Sequence, residues 1–147
     1  MQDVNIYIET SNKGPVRRDG EYIYVLECLR DGEPVTRDGR GQLKNTTENQ
    51  LTLQALLEAL SRLRCPCELR IYTQCEYVAN AIKNGWARQW QKNGWQTAKG
   101  KPVKDLELWE KVMDQLDRHL YRLFGGCTEY SIWMADEMRR DKTQNNE

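Results

Sequence analysis

Residues 67–104 read CELRIYTQCEYVANAIKNGWARQWQKNGWQTAKGKPVK. Leu69, Ile71 and Thr73 alternate with Arg70 and Tyr72, the period-two pattern of a strand with one buried face. Tyr77, Val78, Ala81 and Ile82 then recur at helical spacing. The tract that follows holds Trp86, Trp90 and Trp95 among Lys83, Arg88, Lys92, Lys99, Lys101 and Lys104, without an acidic residue. Indoles in a basic, amide-rich segment suit a surface that meets something flat and anionic. The spacing of Trp86 and Trp90 equally suits a helix that packs its tryptophans inward, and such a helix can still present basic residues outward.

Before this stretch, Val4, Ile6 and Ile8 alternate with Asn5, Tyr7 and Glu9, predicting a first strand that ends at Thr10-Ser11. Residues 12–15 carry turn chemistry, and residues 17–20 read as a polar loop. A second strand is predicted over 22–29, and Asp31-Gly32 turns it into a third, over 34–43, despite glycines there. The run Asn45-Thr46-Thr47-Glu48 opens a helix, because a short polar side chain caps the first turn and an acid suits its dipole. Leu53, Leu56, Leu57, Leu60 and Leu63 form its apolar stripe, and Pro66 ends it. The fourth strand, 68–73, is reached from the third through that helix and is therefore expected parallel to the first. Past the basic tract, Leu106, Trp109, Val112, Met113 and Leu116 make another amphipathic helix. The end reads two ways. Either that helix continues to Gly125-Gly126 and 128–134 is a strand, or 119–124 is the strand and a helix over 130–139 turns Tyr130, Trp133, Met134 and Met138 inward.

A chain of 147 residues is expected to form one domain, here residues 1–141 with a polar tail over 142–147. The 22 basic and 22 acidic residues cancel, so attraction to a polyanion must come from local segregation such as the Lys83–Lys104 tract. Five cysteines, odd in number and irregularly spaced, suit free thiols in a reducing cytoplasm. Cys65-Pro66-Cys67 lacks the second pair or nearby histidine that a zinc site needs. No signal pattern opens the chain and no apolar run approaches ~20 residues, so no membrane association is expected.

The segment Thr73-Gln74-Cys75-Glu76-Tyr77-Val78, then Trp86 with Trp90, Gly94-Trp95, Lys101-Pro102-Val103-Lys104 and Leu108-Trp109 resembles the type 1 ribonuclease H family. There the order is T-D-S-x-Y-V, W-x-x-x-W, G-W, K-P-V-K and a Leu-Trp pair. The resemblance runs in order from Val4 to about Met138. It implies a three-layer α/β/α fold with a mixed five-stranded sheet, three antiparallel strands followed by two parallel ones. It also favours the second reading of the end, since Ala135-Asp136-Glu137-Met138 is similar to the family's final C-D-E-L.

The resemblance implies hydrolysis of RNA in an RNA–DNA hybrid by two magnesium ions ~3.5–4 Å apart, held by carboxylates from separate elements. The family's four carboxylate positions fall on Glu9, Thr52, Gln74 and Asp136. Glu9 retains the acid with one more methylene; Thr52 and Gln74 bring no charge; Asp136 lies close behind the last strand, and the family's histidine-bearing glycine loop is missing. Glu9 and Asp136 are thus the remaining candidates for magnesium or manganese, and so few anionic ligands hold two divalent ions poorly. Asn49 stands where the family places an asparagine that reads the hybrid's minor groove, and Lys83, Trp86, Arg88 and Lys92 fall in its basic protrusion. The expectation is a nucleic-acid-binding domain for a hybrid or duplex with catalysis weakened or lost. Two rivals remain: a ribonuclease using Glu9, Gln74 and Asp136 around one metal, and a protein-interaction module on the same fold.

Overall fold

The computed structural model describes residues 1–145. Its strands are β1 (Gln2–Thr10), β2 (Arg18–Arg30), β3 (Glu33–Thr46), β4 (Cys67–Thr73) and β5 (Leu120–Phe124). The helices are α1 (Glu48–Ser61), α2 (Glu76–Lys83), α3 (Trp86–Lys92), α4 (Leu106–Leu116) and α5 (Ser131–Asn145). The sheet order is β3-β2-β1-β4-β5. β1 is antiparallel to β2 and parallel to β4, and β5 is parallel to β4, so three antiparallel strands are followed by two parallel ones.

Alternation along β1 divides the core in two. Val4, Ile6 and Ile8 join Leu51, Leu53, Leu56 and Leu60 of α1 on one face, with Trp109, Val112 and Met113 of α4 behind them. Tyr7 points the other way and meets Met134 and Met138 of α5. α1 starts as its sequence predicts: the Thr47 side chain accepts from the Gln50 N–H at 3.2 Å, with Glu48 in the first turn. It ends at Ser61, short of Pro66, and residues 62–66 form a connector.

Two strands exceed their predicted bounds by a turn's length, β2 at its start and β3 at its end. β2 begins at Arg18, so residues 18–20 are paired strand and not loop. β3 runs to Thr46, and its glycines have a packing reason: Gly39 and Gly41 lie opposite Tyr24 and Tyr22, and a Cβ at either would collide with the tyrosine ring crossing it. At the end of the chain, β5 and α5 follow the second of the two readings. Trp133 departs from it, being 41% exposed while Met134 and Met138 are buried. One residue from Met134 is ~100° around the helix, too far to share its buried stripe. α5 continues through Asn145 into the stretch read as a tail, and residues 146–147 lie outside the described ones. Among the described residues, no helix is long and apolar enough to cross a membrane.

Candidate functional site

The carboxyl ends of β1 and β4, adjacent and parallel, bring Glu9 and Gln74 together from positions 65 apart in sequence. Glu9 is 5% exposed. Its Oε2 accepts from the Gln74 amide, and its Oε1 accepts from the Thr10 N–H at 3.1 Å and from the Lys13 ammonium. Lys13, one helical-turn spacing beyond Glu9, is delivered by the loop after β1. That loop is pinned by Asn12, 1% exposed, whose Nδ2 donates to the Arg18 and Thr46 carbonyls at 3.1 Å each. The remaining carboxylate thus closes its charge on a neighbouring ammonium.

The other two positions near it are also engaged. Thr52 is fully buried, and its hydroxyl donates to the Glu48 carbonyl one turn back at 2.8 Å. Gln74 Oε1 receives the Cys127 thiol at 3.7 Å, from the loop after β5. Asn49 accepts from the buried Cys75 thiol at 3.2 Å, which places it beside the Gln74 loop. Burial raises the Cys75 pKa. Glu48 Oε1 accepts from the Gly14 N–H at 3.2 Å, tying α1 to the Lys13 loop.

Asp136 does not join this group. It sits two residues from both Met134 and Met138, on the outer side of α5, half exposed and paired with Arg139 at 2.9 Å. The chemistry of the donor set therefore does not fit a two-ion centre. At the four family positions, one inward carboxylate, an amide already donating to it and a hydroxyl turned to a backbone carbonyl offer too few anionic oxygens for two hard cations. Among the described residues, no group of three or more His, Cys, Asp or Glu could hold a metal ion. Glu21, buried beside the end of β1, has one carboxylate oxygen without a hydrogen bond.

The basic tract divides across α3. Trp90 turns inward, edge-on to Trp109 at 5.5 Å and stacked on Tyr77 at 6.5 Å. Trp86 stays outside, 44% exposed, over a shallow cavity it shares with Gln89, Lys92, Asn93 and Gln96. Arg88 belongs to neither group. It donates to Asp117 at 2.6 Å, Gln91 at 2.6 Å and Tyr121 at 3.3 Å, joining α3 to the α4–β5 corner. Lys83 faces a different cavity, with Gln74, Gly125 and Gly126. Of the four protrusion residues read from sequence, Trp86 and Lys92 line one cavity, Lys83 lines another, and Arg88 is tied to Asp117.

Sequence reasoning missed Lys13, which sits in a stretch that reads as turn chemistry; its i, i+4 spacing from Glu9 was the available signal. It also missed Cys127, which no local pattern marks.

A mixed five-stranded sheet in this order, with helices on both faces and a polar cluster where β1 and β4 end together, defines a ribonuclease H-like α/β domain. A sequence profile of the RNase H family matches residues 1–123, and the chain belongs to that family. Ribonuclease H of Clostridium botulinum (strain Hall) is 46% identical over 121 residues, covering 81% of this chain and 78% of the relative. Ribonuclease H of Caldicellulosiruptor saccharolyticus is 36% identical over 146 residues, covering 95% of each. Among solved structures, a type 1 RNase H with the type 2 active-site motif superposes with a TM-score of 0.75 at 20% identity, over 95% of this chain and 71% of that one. A foamy viral protease-reverse transcriptase in complex with RNA/DNA hybrid gives 0.64 at 16% identity, over 84% of this chain and 17% of that one. At these identities the structural likeness concerns the fold.

Proposed function

We propose that this ribonuclease H-family domain binds nucleic acid, an RNA–DNA hybrid or duplex, with hybrid cleavage weakened or lost. The observation that carries the reading is the closure of Glu9 on Lys13 and Gln74. A magnesium or manganese ion at this carboxylate must first displace an ammonium, and Thr52, Gln74 and Asp136, at the other three family positions, bring no second inward acid to it. Binding rests on Trp86 and Lys92, the exposed indole and ammonium that share one surface of the basic tract. Asn49, beside Cys75 and Gln74, is the residue we assign to a 2′-hydroxyl, the group that separates hybrid from DNA duplex. Five free thiols suit a reducing compartment such as the cytoplasm.

A second reading, an active hybrid ribonuclease, is favoured by relatives of 36–46% identity that carry the name Ribonuclease H. One experiment separates them: hybrid binding at low salt and magnesium-dependent hybrid cleavage, measured on the same preparation. Binding without cleavage supports the proposal. Turnover at ordinary family rates, abolished by Glu9→Ala, establishes the second reading, and folded protein that binds no hybrid overturns both.

A further inference from the structure

At the opposite end of the sheet from Glu9, the start of β1 and β4, the β2–β3 hairpin and the carboxyl end of α1 enclose a cavity of about 720 Å³. Leu26, Val35 and Leu63 give it apolar walls, and Arg30, Arg37, Arg62 and Arg64 all line it. Strand alternation explains the grouping. Arg37 lies opposite Leu26, and Arg30 is two residues beyond Cys28, so both project to the α1 face, toward the two arginines that follow α1.

Arg62 and Arg64 have a structural reason to be there, since free carbonyls at a helix carboxyl end favour cations. Arg62 also lies over the Tyr24 ring at 5.5 Å. Arg30 and Arg37 serve no helix end, and the side chains of Arg30, Arg37 and Arg64 form no hydrogen bond or ion pair with the described residues. Arg30 stands opposite Glu33 in the hairpin register, but their side chains form no ion pair. Glu27 also lines the cavity, but its carboxylate is turned to the other face of the sheet, where Asn5, Tyr7 and Tyr130 donate to it. The cavity therefore combines several open guanidiniums with apolar wall, in a volume that suits a small organic ligand.

We propose that this cavity binds a nucleoside polyphosphate, with phosphates on Arg30, Arg37 and Arg64 and the base against Val35 and Leu63. Guanidinium matches phosphate through paired N–H donors, and the apolar wall supplies the surface that a bare anion would not need. The site is remote from Glu9, so it stands or falls independently of the function proposed above.

The test is calorimetric titration of the full chain at low salt with ATP, inorganic triphosphate, adenosine and a short single-stranded oligonucleotide. ATP is expected to bind, and Arg30→Ala with Arg37→Ala to weaken it about tenfold or more, since two charged hydrogen-bond donors are lost. Both residues are exposed, so the variant should fold; its melting curve checks this. In the wild-type chain, ATP should slow alkylation of Cys65 by iodoacetamide, because Cys65 lines the cavity, while exposed Cys127 at the other end reacts unchanged. Absent ATP binding, unaltered binding by the double variant, or unprotected Cys65 overturns the proposal. Inorganic triphosphate binding as tightly as ATP overturns the nucleotide assignment in favour of a plain anion site. An oligonucleotide that displaces ATP at lower concentration overturns it in favour of a nucleic-acid strand.

Discussion

At the carboxyl end of β1, Glu9 is buried with both oxygens occupied, one by Lys13 and Thr10 and the other by Gln74. At the amino end of the same strand, Arg30, Arg37 and Arg64 border a cavity with no partner among the described residues. One end of the sheet has closed its charges on one another, and the other has left them open. A closed pair gives a ligand little to gain, because the ligand must first break contacts already made. An open guanidinium over apolar wall has only water to lose. The position of a charged residue in a family pattern is therefore a weaker guide to binding than the contacts it makes in its own fold.

The closed end is broken most directly by asking it to catalyse. Cleavage of a labelled hybrid in magnesium is expected to be at least ~10³-fold slower than that of an ordinary family enzyme, since losing one charge-stabilising group already costs ~10²–10³. Single-turnover assays measure this, and ordinary rates would show that Lys13 yields easily to a metal.

Reopening that end is the converse. Thr52→Glu, Gln74→Asp and Lys13→Met together should create a divalent-ion site. Manganese at ~100 times its Kd should then stabilise the variant by ~2.7 kcal/mol through binding to the folded state. A melting temperature that ignores manganese, with calorimetry silent, would mean the backbone positions do not converge as argued. Lys13→Met alone should alter stability by under ~1 kcal/mol, because the ammonium is half exposed.

Within the basic tract the same contrast separates Arg88 from Lys92. Arg88→Ala should destabilise the fold by ~1–2 kcal/mol through loss of its bonds to Asp117, Gln91 and Tyr121, with the salt dependence of hybrid binding unchanged. Lys92→Glu should leave stability alone and flatten the log affinity–log salt slope by about one unit, one phosphate contact. Denaturant melts and titrations at several salt concentrations distinguish the two. Equal effects on the slope would erase the distinction between closed and open charges.

The smallest effect concerns a closed charge inside the fold. Burial alone would raise the Glu27 pKa, but hydrogen bonds from Tyr130, Asn5 and Tyr7, with Arg70 nearby, outweigh it and hold the carboxyl below its ordinary 4.5. The same contact pushes the Tyr130 phenol up to about 12. A depressed folded-state value means stabilisation that is full above pH 4.5 and lost as pH falls through the folded value. Glu27→Gln should therefore lower stability at neutral pH and flatten its decline below pH 4.5, as thermal melts across pH would record. A wild-type curve already flat there would show that the tyrosines do not favour the ionised form.

The order of elements as far as α4, the parallel placement of β4, the leucine stripe of α1 and the two-faced character of β1 were all legible in the sequence, whereas spacing left the last strand and helix open between two readings. Each depends on spacing between near neighbours, and the periods of helix and strand turn spacing into direction. The positions of Glu9 and Gln74 at the ends of two parallel strands followed from the same logic, and the sheet order then set those ends side by side. The rotation of α3 that buries Trp90, exposes Trp86 and ties Arg88 to Asp117 was decided only in the tertiary structure, as were the closure of Glu9 on Lys13, the outward turn of Asp136 and Trp133, and the gathering of Arg30 and Arg37 with Arg62 and Arg64. These depend on which distant segments pack together and at what angle. Local periodicity names the face a residue lies on, and only packing decides what that face meets.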